Sequence, residues 1–163
     1  MKKLNFGCGF DLKKGYENVD IQKNKLIDKS FDFDIFPYPY EDNTFDYVWC
    51  KSVFAYVTNP KKVLLELRRI CKPNAKIEIY CAYWNNIGTY NVLVSKRGFN
   101  KQCFKHLEST DYEYNGMDDF KILKLEELPT KFGRIIPRVF REQLSKFICG
   151  ITATVHVVLE VNK

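Results

Sequence analysis

Apolar and polar positions divide this chain into short strands and one clear helix. Lys3–Phe6 is a brief run that ends in Gly7-Cys8-Gly9, the pattern of a strand passing straight into a tight glycine turn. A second run, Asn18–Ile21, ends on or beside Asp20, and a third covers Phe31–Phe36. Pro37 and Pro39 each fix φ and remove a backbone donor, so Pro37–Tyr40 reads as extended loop. The turn cluster Glu41-Asp42-Asn43 then leads into a strand over Phe45–Cys50. Asn59 is placed to cap a helix, Pro60 suits its first turn, and Val63, Leu64, Leu67 and Ile70 recur at the spacing of one buried face. Lys72-Pro73-Asn74 stops that helix, and Lys76–Cys81 alternates as a strand does. Residues 84–119 are irregular and polar, and are expected to form loops with short helices that carry substrate contacts. Phe120–Leu128 reads as a strand, Arg138–Ile148 as helix-like, and the β-branched run Thr152–Val161 as the last strand. This alternation predicts an α/β layered fold around a largely parallel sheet.

At 163 residues the chain is expected to form a single domain, residues 1–163, with one site. An aromatic content of 15% supplies large side chains for its core. Six cysteines are spread without a Cys-x-x-Cys pair and with two histidines to help them, which speaks against a zinc site or a disulfide framework. No metal is therefore expected. No stretch approaches the roughly 20 apolar residues of a membrane span, so no membrane partner and a cytoplasmic setting are expected. The net charge of +6 is uneven: residues 31–60 carry five acids against Lys51, whereas residues 61–110 carry ten bases against three acids. Solvated faces explain that asymmetry more simply than a nucleic-acid surface, since no recognised RNA- or DNA-binding motif accompanies it.

The chemistry lies in an ordered set of signals at consecutive strand ends. Gly7 and Gly9 let backbone approach a ligand closely, because neither carries a Cβ. Asp20, at the end of the second strand, stands where a carboxylate accepts from both ribose hydroxyls. Asp34 follows the third run and is placed to accept from an exocyclic amine such as that of adenine, with Ile35 and Phe36 available to pack on the ring. Each signal alone is commonplace, and their order carries the inference.

Here the chain resembles the class I S-adenosylmethionine-dependent methyltransferases, in particular small type 11-like members. LNFGCGFDLKKGYENVDI is similar to their opening strand, glycine loop and acidic second strand. DFDIFPYPYEDNTFDYV is similar to their adenine loop and fourth-strand entry, and RRICKPNAKIEIY to the turn joining helix to strand five. The resemblance covers residues 3–83 well. It implies a Rossmann-like, mostly parallel central sheet with helices on both faces and an antiparallel last strand. It also implies S-adenosylmethionine as cofactor, with Gly7, Cys8 and Gly9 under its methionine and ribose part, Asp20 and Ile21 on the ribose, and Asp34 and Ile35 flanking the adenine. Cys50, Lys51 and Ser52 would face the methionine moiety and the incoming substrate, whereas Asp46 would belong to the scaffold.

Several departures from the family pattern bear on function. Ten residues separate Gly9 from Asp20, too few for a full crossover helix, so the first helix is expected to shrink to a turn or two. Ser52-Val53-Phe54-Ala55-Tyr56 lacks the histidines and acid usual after strand four. Asn74-Ala75 replaces a glycine pair, which Asn tolerates because it accepts a left-handed conformation. With the first strand at Lys3, covering helices before it are not expected, and another segment is expected to close the site.

The expected activity is methyl transfer by direct displacement to a small-molecule or nucleic-acid substrate. A general base is required only for a protonated nucleophile, and no residue is assigned to that role; Tyr56, Tyr83 and His106 read as packing or surface residues. A nicotinamide-binding oxidoreductase is disfavoured because its third glycine falls at Leu12 and the acid comes too early for a pyrophosphate-holding helix. A non-catalytic adaptor binding RNA or protein through basic residues 61–110 is the main alternative. Oligomeric state is not legible.

Overall fold

A computed structural model describes residues 1–108 and 119–163 of the chain. The part of the predicted 84–119 loop region that covers 109–118 lies outside the described residues. Among the described residues seven strands form one sheet: β1 (Lys3–Phe6), β2 (Glu17–Asp20), β3 (Lys29–Ser30), β4 (Phe45–Lys51), β5 (Cys71–Ala82), β6 (Phe120–Pro129) and β7 (Thr152–Val161). Their order is β3-β2-β1-β4-β5-β7-β6. The first five run parallel, and β7 pairs antiparallel with both β5 and β6. This is the Rossmann-like, mostly parallel α/β sheet with an antiparallel last strand that the resemblance implied.

One face of the sheet is apolar because alternate residues point the same way. Leu4 and Phe6 on β1, Val48 and Cys50 on β4, Ile77 and Ile79 on β5, and Val157 and Leu159 on β7 fall into register and are buried. Helix α1 (Pro60–Ile70) is 11 residues long, and its Val63, Leu64, Leu67 and Ile70 are buried. Its start is read correctly from sequence: the Asn59 side chain accepts from the Lys62 backbone N–H at 3.0 Å, with Pro60 in the first turn. Its end differs, because β5 begins directly at Cys71 and absorbs Pro73 and Asn74. Asn74 sits at φ 63°, the left-handed conformation expected there.

Helices are sparse elsewhere among the described residues. The short α2 (Gln102–Lys105) and α3 (Arg138–Leu144) flank β6, and 3-10 turns cover Val53–Ala55, Ile87–Tyr90 and His106–Glu108. The trimming of the first crossover goes further than expected, since residues 7–16 contain no helix at all. A pair of buried asparagines does the work instead. Asn18 Oδ1 accepts from Asn5 Nδ2 and from the Lys13 backbone N–H, both at 2.8 Å, while its amide donates to the Lys13 and Tyr16 carbonyls at 3.2 Å. Asn5 Nδ2 also donates to the Asp11 carbonyl at 2.7 Å. The helix-free loop thereby satisfies its backbone through side chains of the strands it joins.

Aromatic packing replaces a helix on the way from β3 to β4. The run expected as strand over Phe31–Phe36 is turn structure, and β3 is the two residues before it. Phe33 packs on Phe6 with ring centroids 4.0 Å apart, and Tyr38 lies 5.2 Å from Phe31 and 5.4 Å from Phe36. Arg69 of α1 gathers this loop, donating to the Tyr38 and Tyr40 carbonyls at 3.1 and 2.9 Å and pairing with Asp42 and Glu66 at 2.6 Å.

On the opposite sheet face Trp49 of β4 is in register with Glu78 of β5, and Tyr80 of β5 with His156 of β7 and Glu126 of β6, while Tyr47 shares that face two residues before Trp49. His156 is buried with Nε2 2.8 Å from Glu78 and Nδ1 3.0 Å from Glu126, and its ring stacks on Tyr80 at 4.2 Å. Tyr47 and Tyr80 both donate to the Glu78 carboxylate. Hydrogen bonds thus link Tyr47, Tyr80, Glu78, His156 and Glu126 across this face, while the buried Trp49 indole N–H beside them has no partner among the described residues.

Candidate functional site

The carboxyl ends of β1, β2 and β4 and the loops after them bring most of the expected site residues to one sheet edge. The glycine turn leaves β1 with Gly7 and Cys8 donating backbone N–H groups to the Val19 carbonyl, each at 3.0 Å. Gly7 (φ 71°) and Gly9 (φ 50°) both adopt the left-handed conformation that favours glycine, yet their surroundings differ. A Cβ on Gly7 would stand 2.6 Å from Val53 Cβ and Cγ2, so that glycine packs the turn against the segment after β4. A Cβ on Gly9 would meet nothing within 4 Å. Gly9 therefore offers bare backbone to an approaching ligand.

Asp20 closes the other side of this turn. Its carboxylate is buried and accepts from the Gly9 backbone N–H at 2.8 Å through Oδ2 and from the Gln22 backbone N–H at 3.1 Å through Oδ1. Each oxygen keeps acceptor capacity, which is what a vicinal diol requires. Beyond it, Ile21, Ile35 and Phe10 stand exposed on consecutive loops of the edge, Phe10 at 90%. Large apolar side chains left in water beside a polar turn suit the faces of a flat heterocycle.

Asp34 is more committed than the sequence suggests. Its carboxylate accepts from the Thr58 backbone N–H at 2.7 and 3.0 Å and from the Thr58 hydroxyl at 2.6 Å, and Lys96 lies 3.5 Å away. Burial would raise this carboxyl, but the Thr58 hydrogen bonds and the Lys96 ammonium hold it below the ordinary carboxylate value. Lys96 also donates to Thr58 Oγ1 at 2.7 Å, and Arg97 to the Thr58 carbonyl at 3.0 Å. Residues 96 and 97 thus strap the loops after β3 and β4 together, a role the sequence does not announce.

After β4 the three expected residues behave differently. Cys50 Sγ is wholly buried in the core, and burial pushes its thiol well above the ordinary value, so the side chain itself faces away from the edge. Burial, with the Asp20 charge beside it, likewise pushes the Cys8 thiol up to about 11. Lys51 is exposed and its Nζ lies 3.4 Å from Asp11 of the glycine loop. Ser52 is left-handed at φ 63° and donates its N–H to the Tyr80 carbonyl at 2.7 Å, which turns the chain sharply into the Val53–Ala55 segment. Val53, the residue against which Gly7 packs, is missed by sequence reasoning, since nothing local marks it.

Five of the ten bases in residues 61–110 pair with acids among the described residues. Arg68 pairs with Asp119, Arg69 with Asp42 and Glu66, Lys72 with Asp46, Lys96 with Asp34 and Lys101 with Glu142. All six cysteines are free, and among the described residues no group of three or more His, Cys, Asp or Glu is arranged to hold a metal. No helix among the described residues is long and apolar enough to cross a membrane.

The strand order and the glycine turn at the sheet edge define the fold class of the S-adenosylmethionine-dependent methyltransferases. Residues 4–79 match the type 11 family model described as a methyltransferase domain. That match covers just under half of the chain, and the described chain as a whole has the fold of class I methyltransferases. It is 33% identical over 133 residues to the uncharacterized protein MJ0638 of Methanocaldococcus jannaschii, covering 74% of this chain. The match spans 55% of that relative, about half its length. Among solved structures, a Haloferax volcanii chain from a complex with the methyltransferase activator Trm112 superposes with TM-score 0.61 at 15% identity, covering 99% of this chain and 83% of that one. A Methanosarcina mazei S-adenosylmethionine-dependent methyltransferase gives 0.59 at 12% identity, with 99% and 92% covered. The cyclase SpnF gives 0.66 at 13% identity, with 99% and 74% covered, so this architecture also hosts a protein named for different chemistry.

Proposed function

We propose that the chain binds S-adenosylmethionine at the edge formed by Gly7–Gly9, Asp20, Ile21, Asp34, Ile35 and Cys50–Ser52, and that it is a methyltransferase. The observation that carries this reading is Gly9, an open left-handed glycine whose N–H is held by the Asp20 carboxylate. Asp20 would take the ribose hydroxyls with its remaining acceptor sites. Ile21 would lie with Asp20 against the ribose, Ile35 would flank the adenine, and Asp34 Oδ1, which accepts one hydrogen bond, keeps a site for the exocyclic amine. The exposed Lys51 and Asp11 pair presents both signs to the zwitterionic methionine end, while Cys50 contributes backbone alone.

Bound there, the cofactor supplies a methyl group already activated by its sulfonium charge. The protein's part is then alignment and water exclusion. The Lys96–Arg97 strap over Thr58 fits the second task, because it fixes the loops that rim the edge. No side chain is assigned as a general base. The substrate is a small molecule or a nucleic acid.

Calorimetry with S-adenosylmethionine tests the reading directly. Micromolar binding that is lost on Asp20→Ala, with the variant still folded, is the expected result. A folded wild-type protein that takes up no cofactor at millimolar concentration refutes it. A methyl-transfer screen across small molecules, sugars and RNA then identifies the acceptor.

A further inference from the structure

The segment between β6 and β7 carries a surface that the cofactor site does not use. It leaves β6 at Pro129 and returns at Thr152, and it is pinned from within. The Thr130 N–H donates to the Ile151 carbonyl at 2.9 Å, and the Gly133 N–H to Thr130 Oγ1 at 2.9 Å. A Cβ on Gly133 would stand 1.9 Å from the Ile151 carbonyl oxygen, so the backbones touch there. Ser145 is fully buried, with its hydroxyl 3.0 Å from the Glu142 carbonyl and 3.3 Å from Tyr83 Oη. The inner side of the segment is therefore a packed anchor.

Its outer side is apolar and basic. Phe132, Ile135, Val139, Phe140, Phe147 and Ile148 are exposed, with Ile135, Val139 and Phe147 at 79%, 80% and 84%. Interleaved with them are Lys131, Arg134, Arg138, Arg141 and Lys146, against the single acid Glu142, which pairs with Lys101 at 3.1 Å. Lys131, Arg134 and Arg138 have no acidic partner among the described residues. A water-exposed apolar ridge framed by Lys131, Arg134 and Arg138, which lack an acidic partner among the described residues, is what a membrane-surface element presents: side chains for the acyl boundary and charges for anionic headgroups. The same framing works against a second copy docking patch to patch, which would bring like charges together. Nucleic acid offers phosphates to the cations and bases to the Phe rings, but no apolar partner to Ile135, Val139 and Ile148.

We infer that residues 130–150 dock this protein onto an anionic lipid bilayer, lying on the surface without crossing it, in place of the expected lack of a membrane partner, which rested on the want of a spanning segment alone. Because β7 starts beside the end of β5, the docked face stands on the same sheet edge as Gly9. Three strand spacings separate β7 from β1, roughly 14 Å. Docking itself does not depend on methyl transfer, and its test involves no cofactor.

The experiment is sedimentation of the full chain with vesicles of phosphatidylcholine alone or mixed with phosphatidylglycerol. Binding is expected to the anionic vesicles, weakened by salt. Removing two charges in Arg134→Ala/Arg138→Ala should lower it on the order of 25-fold. Phe140→Ser/Phe147→Ser, which alters exposed positions and leaves the fold intact by circular dichroism, should lower it by about tenfold or more at any salt concentration. The inference is overturned if the wild type does not sediment with anionic vesicles. Undiminished binding by the double Phe variant overturns it too, since the ridge would then be idle. So does a wild-type dimer that ignores vesicles and dissociates on the Phe substitutions, or salt-dependent RNA binding without vesicle binding.

Discussion

Replacing each glycine of the β1 turn by alanine separates a packing role from a ligand role. Both positions have positive φ, so each alanine carries a conformational strain of about 1–2 kcal/mol. At Gly7 the new methyl would also lie 2.6 Å from two Val53 atoms, one of them the Cβ next to the backbone, which cannot swing away. Overpacking of that kind adds about 1–3 kcal/mol, giving about 2–5 kcal/mol for Gly7→Ala against about 1–2 for Gly9→Ala. With a urea slope of about 2 kcal/mol/M, the two midpoints should differ by roughly 0.5–1.5 M. In a Val53→Gly background, Gly7→Ala should cost the strain alone, so a double-mutant cycle reads the clash as its coupling energy. Calorimetry should show the reverse order for cofactor affinity, with Gly9→Ala the more damaging. Equal midpoints for the two alanine variants, or no coupling to Val53, would refute this division of roles.

Two more outcomes follow from the polar networks. Asn18→Ala removes both acceptor and donor from the helix-free loop and should destabilise the protein by about 2–4 kcal/mol in urea denaturation, more than an exposed asparagine would. Acid should unfold the chain through the β5–β7–β6 network. Burial would raise Glu78, but hydrogen bonds from Tyr47, Tyr80 and His156 hold it below 4.5, and hydrogen bonds from Lys124 and His156 lower Glu126. Carboxyls depressed in the folded state contribute stability that is complete above 4.5 and is lost as pH falls through their native values. Melting temperature measured against pH should therefore drop on that acid limb, and Glu78→Gln should flatten it.

What could be read from sequence was local or ordered along the chain. Asn59 and Pro60 mark the helix start because capping involves neighbours, and Thr152–Val161 declares itself by its β-branched run. Asn74 was legible for the same reason, since left-handed backbone restricts residue type at the position itself. The alternation Phe31-Asp32-Phe33-Asp34 points to a third strand there, but ring contacts with Phe6 and Tyr38 fold the segment into an aromatic plug instead. Val53 beneath Gly7, Thr58 on Asp34 and Asn5 against Asn18 are meetings of distant segments, for which the order of residues holds no signal.

Strand β7 is the last of the seven to leave the ribosome, yet it sits inside the sheet, between β5 and β6. During synthesis β6 therefore has no partner in the sheet until the final ten-residue strand has emerged, and His156 then joins Glu78 to Glu126 in one step. Vectorial folding of this domain should stall as a β3-to-β5 half-sheet with an open β5 edge, the interval in which a nascent chain has most need of a chaperone.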